Sequence, residues 1–307
     1  MIPLWKGSAN TWDCDELGHM NVRVYVEKSL EGIGAFSAAI NMPHAFQANA
    51  PSTLLVAEQH IRFIREVFAA KPVSMVGCIL EHDETSVLLY QEMRQGDGSP
   101  AAAFRTRLIH AETKSGRPFP WSQRSLTALD ALKGTPPEET RPRGLSPDTQ
   151  PLPDAEVNLE KVQKVGAMEI GRGLVPPTHC DLNGRMLPSW TIGRISDSVP
   201  NLLYGWRSKV ADANNQSRIG GAVLEYRTIY RSWPRAGDRF VIHTGLNEIA
   251  EKTHQLVHWT LNADTGTPFA TSAALAVSLD LDARKIIPTP ADLMDELKAI
   301  APIGMTI

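Results

Sequence analysis

Close to the N-terminus, Asp13-Cys14-Asp15-Glu16-Leu17-Gly18-His19-Met20-Asn21 sets two carboxylates, a thiol, an imidazole and a side-chain amide directly before a stretch with helical spacing. A carboxylate in such a loop can act as a base or as a nucleophile. The N–H groups of a helix's first turn have no partner within the helix. With the helix dipole behind them, they can hold a developing negative charge. Gly18 suits the tight turn that would fold these groups together. The plainer reading is that Asp13 and Asp15 only turn the chain and cap the helix, as Asp often does. Cys14 lies between carboxylates, which disfavour a thiolate, so packing is its expected role.

The elements that would position these groups follow from periodicity. Val22, Val26, Leu30, Ile33, Phe36 and Ile40 recur at three- and four-residue spacing, which predicts a long central helix with Asn21 as N-cap and Asn41 and Pro43 ending it. Residues 54–67 alternate, with Ala57, Ile61, Phe63 and Val67 on one face and Glu58, His60, Arg62 and Glu66 on the other. Residues 72–81, 86–94 and 101–112 are also predicted strands, separated by His82-Asp83-Glu84 and Gly96-Asp97-Gly98. The predicted order is strand, helix, then four strands, with the helix lying on an antiparallel sheet.

The whole unit is written twice. Cys180-Asp181-Leu182-Asn183-Gly184-Arg185-Met186 repeats the loop 166 residues on, matching Cys14, Asp15, Gly18 and Met20 without a gap. The same offset pairs Gly7 with Gly173, Glu31 with Asp197 and Arg65 with Arg231. So long a period is a duplicated domain, not a solenoid. The predicted division is an N-terminal domain over 1–121, a linker over 122–165 and a C-terminal domain over 166–307. Within the linker, Pro136, Pro137, Pro142, Pro147, Pro151 and Pro153 stand among polar residues and predict extended chain with no packed element. Short helices are predicted at Leu126–Lys133 and Ala291–Ala299. In repeat two, Ile192, Ile195, Val199, Leu202 and Trp206 mark the helix, and Pro200 within it predicts a kink or an early break.

Composition narrows the function classes. A hydrophobic content of 42% and a charge content of 21% describe an ordinary globular chain, and a net charge of −3 argues against nucleic acid or an anionic membrane as partner. No apolar run approaches the ~20 residues that span a bilayer, and Met1-Ile2-Pro3-Leu4-Trp5-Lys6 does not read as a signal peptide. Three widely spaced cysteines argue against a disulfide framework and for a reducing cytoplasm. Nine histidines are scattered, with no H-x-H pair and a single H-x-x-x-H pair at His254 and His258, and neither a metal nor an organic cofactor is expected.

Asp13, Asp15, Gly18, His19, Asn21, Tyr25 and Glu31 together resemble the pattern of hot-dog-fold acyl-CoA thioesterases of the 4-hydroxybenzoyl-CoA thioesterase type. The resemblance extends in outline over both repeats. It implies an α+β tandem (double) hot-dog fold: antiparallel sheets, each wrapping a long central helix, joined as a pseudo-dimer with the sheet continuous between them. It further implies hydrolysis of an acyl-CoA or acyl-carrier-protein thioester. Asp15 would be nucleophile or general base, the N–H near Val22 would polarise the carbonyl, and His19 and Asn21 would order the loop or contact the thioester. Asp13, Gly18, Tyr25, Glu31, Arg65, Asp181, Arg185 and Asp197 become candidates for substrate contact, with Arg65 read either as a sheet-surface cation or as a partner for coenzyme A phosphates. Many members carry a second Asn where this chain has Val22.

Repeat two departs further from that pattern. Arg185 replaces His19, Leu187 replaces Asn21, and Pro188, which has no N–H, replaces Val22. One working site per chain is expected, with Asp181 and Arg185 forming an ion pair. A homodimer of the double chain is compatible with this reading. Two other functions fit the same fold. A hot-dog hydratase or dehydratase would carry Tyr-x-x-His-x-Asp on its helix, which residues 22–40 lack. A non-catalytic acyl-binding protein would bind at the first loop without turnover.

Overall fold

The structure, a computed structural model, describes residues 1–215 and 218–307. Repeat one folds as β1 (Ile2–Ser8), α1 (Val22–Ala39), β2 (Ser52–Phe63), β3 (Pro72–His82), β4 (Ser86–Gln95) and β5 (Pro100–Glu112), followed by α2 (Gln123–Ala131). The strands pair antiparallel in the order β1-β3-β4-β5-β2. The predicted stripe of α1 faces inward, with Val26, Ile33 and Phe36 buried, and Asn41 leaves the helix at φ 64°. A buried polar network seats α1 on the sheet. Ser29 Oγ donates to Gln91 Oε1 at 2.7 Å, and Gln59 Nε2 donates to Ser29 Oγ and Thr106 Oγ1, each at 3.0 Å. Directional bonds of this kind fix where along the sheet the helix sits, which apolar packing alone does not.

Repeat two follows the same plan. After α3 (Leu159–Val165) come β6 (Met168–Leu174), α4 (Pro188–Leu203), α5 (Trp206–Ala213), β7 (Ile219–Tyr230), β8 (Arg239–Ile249), β9 (His254–Asn262), β10 (Pro268–Asp280), β11 (Lys285–Ile287) and α6 (Ala291–Ile300). The order β7-β10-β9-β8-β6 is that of repeat one, with β11 added beside β10. The helix does not break at Pro200 itself, since α4 runs past that residue to Leu203, but Trp206, expected on the same helix, opens α5 after Gly205 at φ 78°. Its interior holds His258, whose burial pushes the imidazole down to about 3, and Thr244 Oγ1 lies 2.7 Å from its Nδ1.

By contact density the chain forms two compact units, Met1–Pro142 with Cys180–Ser189, and Arg143–His179 with Trp190–Ile307. The proline-rich segment, expected to be extended with no packed element, instead holds 3₁₀ turns at Glu138–Thr140 and Asp154–Glu156 and is docked, with Thr140, Leu145 and Val157 buried. Arg62 Nη1 donates to the carbonyls of Glu139 and Arg141 at 2.5 and 2.7 Å. Arg227 donates to those of Ser146 and Thr149, and the Glu225 carboxylate accepts the N–H groups of Arg143, Gly144 and Leu145. This corrects the two-faced reading of residues 54–67. A bulge follows Val56, the strand ends at Phe63, and His60 and Arg62 on the polar face are buried. The carbonyls taken belong to non-proline residues, and the prolines between them fix φ and so restrain the strap. No helix among the described residues is long and apolar enough to cross a membrane.

Candidate active site

The loop before α1 is a closed backbone turn. Asp15 N–H donates to His19 O and Gly18 N–H to Asp15 O, both at 3.0 Å, and Gly18 takes φ 79°, a conformation that favours glycine. Asp13 is spent on the scaffold. Its Oδ2 accepts the Asn10 N–H at 2.9 Å, and its carbonyl accepts the Asn21 N–H at 2.9 Å. Met20 N–H donates to Val67 O at 2.7 Å, tying the loop to the chain that leaves β2. Asn21 is the N-cap, its side chain accepting the Arg23 N–H at 2.9 Å. Val22 is therefore the first helical residue, and its N–H lies beyond the reach of any carbonyl within the helix.

Around that turn the side chains form a chain of acid, imidazole and acid. Asp15 Oδ1 accepts the Leu17 N–H at 2.9 Å, and Oδ2 lies 3.4 Å from His19 Nδ1. On the far side of the ring, Nε2 is buried and stands 3.7 Å from Glu66 Oε1, near enough for attraction but longer than a hydrogen bond. Burial raises the Asp15 carboxyl above the usual aspartate range, and the nearby His19 offsets this in part. Tyr25, one turn into α1, is buried edge-on against Phe63 with ring centroids 5.1 Å apart. Burial raises its phenol, and the charges of Glu66 and Asp15 add to that shift. Burial followed by Asp15 and Asp13 likewise raises the Cys14 thiol, whose Sγ donates to Asn10 O at 3.4 Å.

Glu66 is the residue that sequence reasoning missed. It was placed on the outer face of a strand, whereas the strand ends at Phe63 and the following turn swings Glu66 toward His19. Its one sequence signal was a carboxylate just beyond the end of the strand that follows the loop-bearing helix.

The remaining candidates lie elsewhere. Glu31 is on the second half of α1, held by Trp5 Nε1 at 2.5 Å and Lys28 Nζ at 2.9 Å. Arg65 is exposed and donates to Pro100 O at 2.9 Å, while its counterpart Arg231 grips Leu152 O and Asp154. Asp197 lines a cavity in the second unit. Asp181 and Arg185 share the second loop, where Asp181 Oδ1 accepts the N–H groups of Asn183 and Arg185 at 2.8 and 2.9 Å. The expected ion pair is replaced by this backbone contact. The Arg185 guanidinium donates instead to the carbonyls of Thr113 and Lys114. Pro188 opens α4, so the first helical residue of repeat two has no N–H to offer. Among the described residues no group of three or more His, Cys, Asp or Glu is placed to hold a metal ion.

With this geometry in place, the family profile described as the thioesterase-like superfamily matches residues 9–129 and again 175–297, most of the chain. The chain belongs to the thioesterase-like superfamily. Among solved structures it is similar to the 12:0-ACP thioesterase from Umbellularia californica, at 10% identity over 89% of this chain and 93% of that one, with a TM-score of 0.65. An acyl-ACP thioesterase from Bacteroides thetaiotaomicron gives 12% identity over 89% and 96%, with a TM-score of 0.62. No curated protein matches the sequence significantly. At such identities the likeness establishes the fold, and the tandem hot dog expected from the sequence is the fold of this thioesterase-like chain. Of the two matched segments, only the first has His four residues and Asn six residues after its loop aspartate, with an N–H at the start of its helix.

Proposed function

We propose that the protein hydrolyses a thioester, releasing a free acid and a thiol, with Asp15 as general base. The observation that carries this reading is the Asp15 carboxylate. It is partly desolvated, has one oxygen tied to Leu17 N–H and the other turned to His19, and sits beside the start of α1. Desolvation makes a carboxylate a stronger base, which favours removing a proton from water. The hydroxide equivalent adds to the carbonyl carbon, and the carbonyl oxygen takes up negative charge at the Val22 N–H. Collapse of the adduct breaks the carbon–sulfur bond, and the proton held by Asp15 passes to the departing thiolate. His19 keeps Asp15 oriented, with Glu66 behind the ring.

The thiol carrier is coenzyme A or an acyl carrier protein. Both similar structures named above are ACP thioesterases, which supports testing both carriers. The test is a panel of acyl-CoA and acyl-ACP esters followed by free-thiol release. Turnover that disappears in Asp15→Asn is the expected result. Binding without thiol release would sink the hydrolase reading in favour of an acyl-binding protein, and consumption of enoyl esters without thiol release would favour a hydratase. A single turnover in ¹⁸O-water tests whether Asp15 is the nucleophile. Label in the product acid fits a base, whereas label first appearing in the Asp15 carboxylate would make it the nucleophile.

A further inference from the structure

We propose that the cavity between β6 and α4 in the second unit binds a small planar nitrogen heterocycle through an N–H bond to Asp197. The inference is independent of the thioester chemistry and comes from comparing each half of the molecule with the other. In the first unit Trp5, just after the bulge in β1, lays its indole over Gly7, where an added Cβ would meet Trp5 Cη2 at 2.7 Å. The indole N–H donates to Glu31 at 2.5 Å, and Lys28 Nζ stands 5.3 Å from the ring centroid. The result is a flat ring on a glycine, an N–H to a helix carboxylate, and a cation above.

The second unit keeps the frame of this arrangement and lacks its centre. The position just after the matching bulge in β6 is Gly171, and the carboxylate and the cation are Asp197 and Arg194. Phe240 reaches across from β8 to cover Gly173, where an added Cβ would lie 3.0 Å from its Cζ, and Arg194 sits 5.7 Å from the Phe240 centroid. Phenylalanine thus restores the ring and its cation but cannot restore the N–H. Among the described residues, no hydrogen bond or ion pair reaches the Asp197 carboxylate, whereas Glu31 has two donors. A cavity of about 420 Å³ opens at this spot, lined by Gly171, Arg172, Arg194, Asp197, Asn201 and Phe240. Gly171 cannot fill it with a side chain, because a Cβ there would lie 2.2 Å from Ser198 Oγ; the matching helix residue in the first unit is Gly32. What Phe240 leaves unsupplied is the N–H for Asp197, and a flat indole or benzimidazole ring in the cavity beside Phe240 would bring one.

The experiment is calorimetric titration of the full chain with benzimidazole and, as a shape-matched control without N–H, indane. Benzimidazole should bind at one site per chain at least tenfold more tightly than indane. Asp197→Leu, at an exposed position, should weaken benzimidazole at least tenfold. The double variant Gly171→Trp with Ser198→Gly rebuilds the first unit's arrangement and should abolish binding. Circular dichroism checks that the double variant folds, and if it does not, Asp197→Leu decides. No benzimidazole binding up to its solubility, equal affinity for indane, or undiminished affinity in Asp197→Leu would each overturn the proposal.

Discussion

The two loops of this chain, Cys14–Met20 and Cys180–Met186, share one backbone and differ in chemistry. Each closes with a Cys–Met bridge, turns on a glycine at φ 79° or 75°, and bonds that glycine's N–H to the carbonyl of its aspartate at 3.0 Å. The aspartates diverge in what their carboxylates do. Asp15 accepts one loop N–H and keeps its second oxygen toward His19, whereas one oxygen of Asp181 accepts two loop N–H groups. The imidazole position has become an arginine that grips the carbonyls of Thr113 and Lys114, and the first helical N–H has become proline. Aspartate and glycine at fixed spacing therefore accompany the same turn in both loops, and the chemistry proposed for the first rests on Asp15 together with His19 and the Val22 N–H.

Substitutions can break that contrast at each of these positions. Asp15→Asn should lower kcat/KM for a good thioester by about 10³-fold or more, while Asp181→Asn should leave it within about tenfold. Equal losses would show that both loops work. Folding raises the Asp15 pKa, so its ionised form opposes folding as pH rises through that range, and Asp15→Asn should not lower the melting temperature at neutral pH. Val22→Pro copies Pro188 into the first loop. Proline is tolerated at the first helical position, and Asn21 already has the extended ψ of 143° that proline demands of its predecessor. The fold should survive while kcat falls by about 10²–10³-fold, as for a lost oxyanion donor. A smaller effect is expected in the pH profile. The acidic limb of kcat/KM should lie above the ordinary aspartate range, and His19→Gln should move it higher still, because His19 lowers the Asp15 pKa. A limb that stays fixed or moves down would contradict this. Arg185→Met should hardly touch turnover but should lower stability by about 1–3 kcal/mol in denaturant titrations, since a buried guanidinium's bonds to carbonyls are lost.

Much of this was legible in the sequence because it is local. The stripe from Val22 to Phe36, Asn21 as cap, Gly18 as turn and Pro188 as a helix start all depend on residues within one or two turns of each other. What was not legible depends on residues brought together from far along the chain. Glu66 reaches His19 only because β2 stops at Phe63. Arg185 turns from the neighbouring Asp181 to carbonyls some 70 positions earlier, a partner that no spacing rule suggests. The exchange of Trp5 for Phe240 crosses between strands, so aligning the repeats shows only a lost tryptophan.

The docked strap also bears on where this chain can be opened. Arg62 takes its carbonyls from Glu139 and Arg141, whereas Glu225, Arg227 and Arg231 take their partners from Arg143 to Asp154. The handover falls between Pro142 and Arg143, the first of three points where the chain passes from one compact unit to the other. New termini there, as in a circular permutant, would leave each buried charge with the segment that neutralises it. A break ten residues to either side would strand guanidinium groups or a carboxylate against bare sheet, so within a stretch that composition marks as interchangeable linker, one peptide bond is the natural seam.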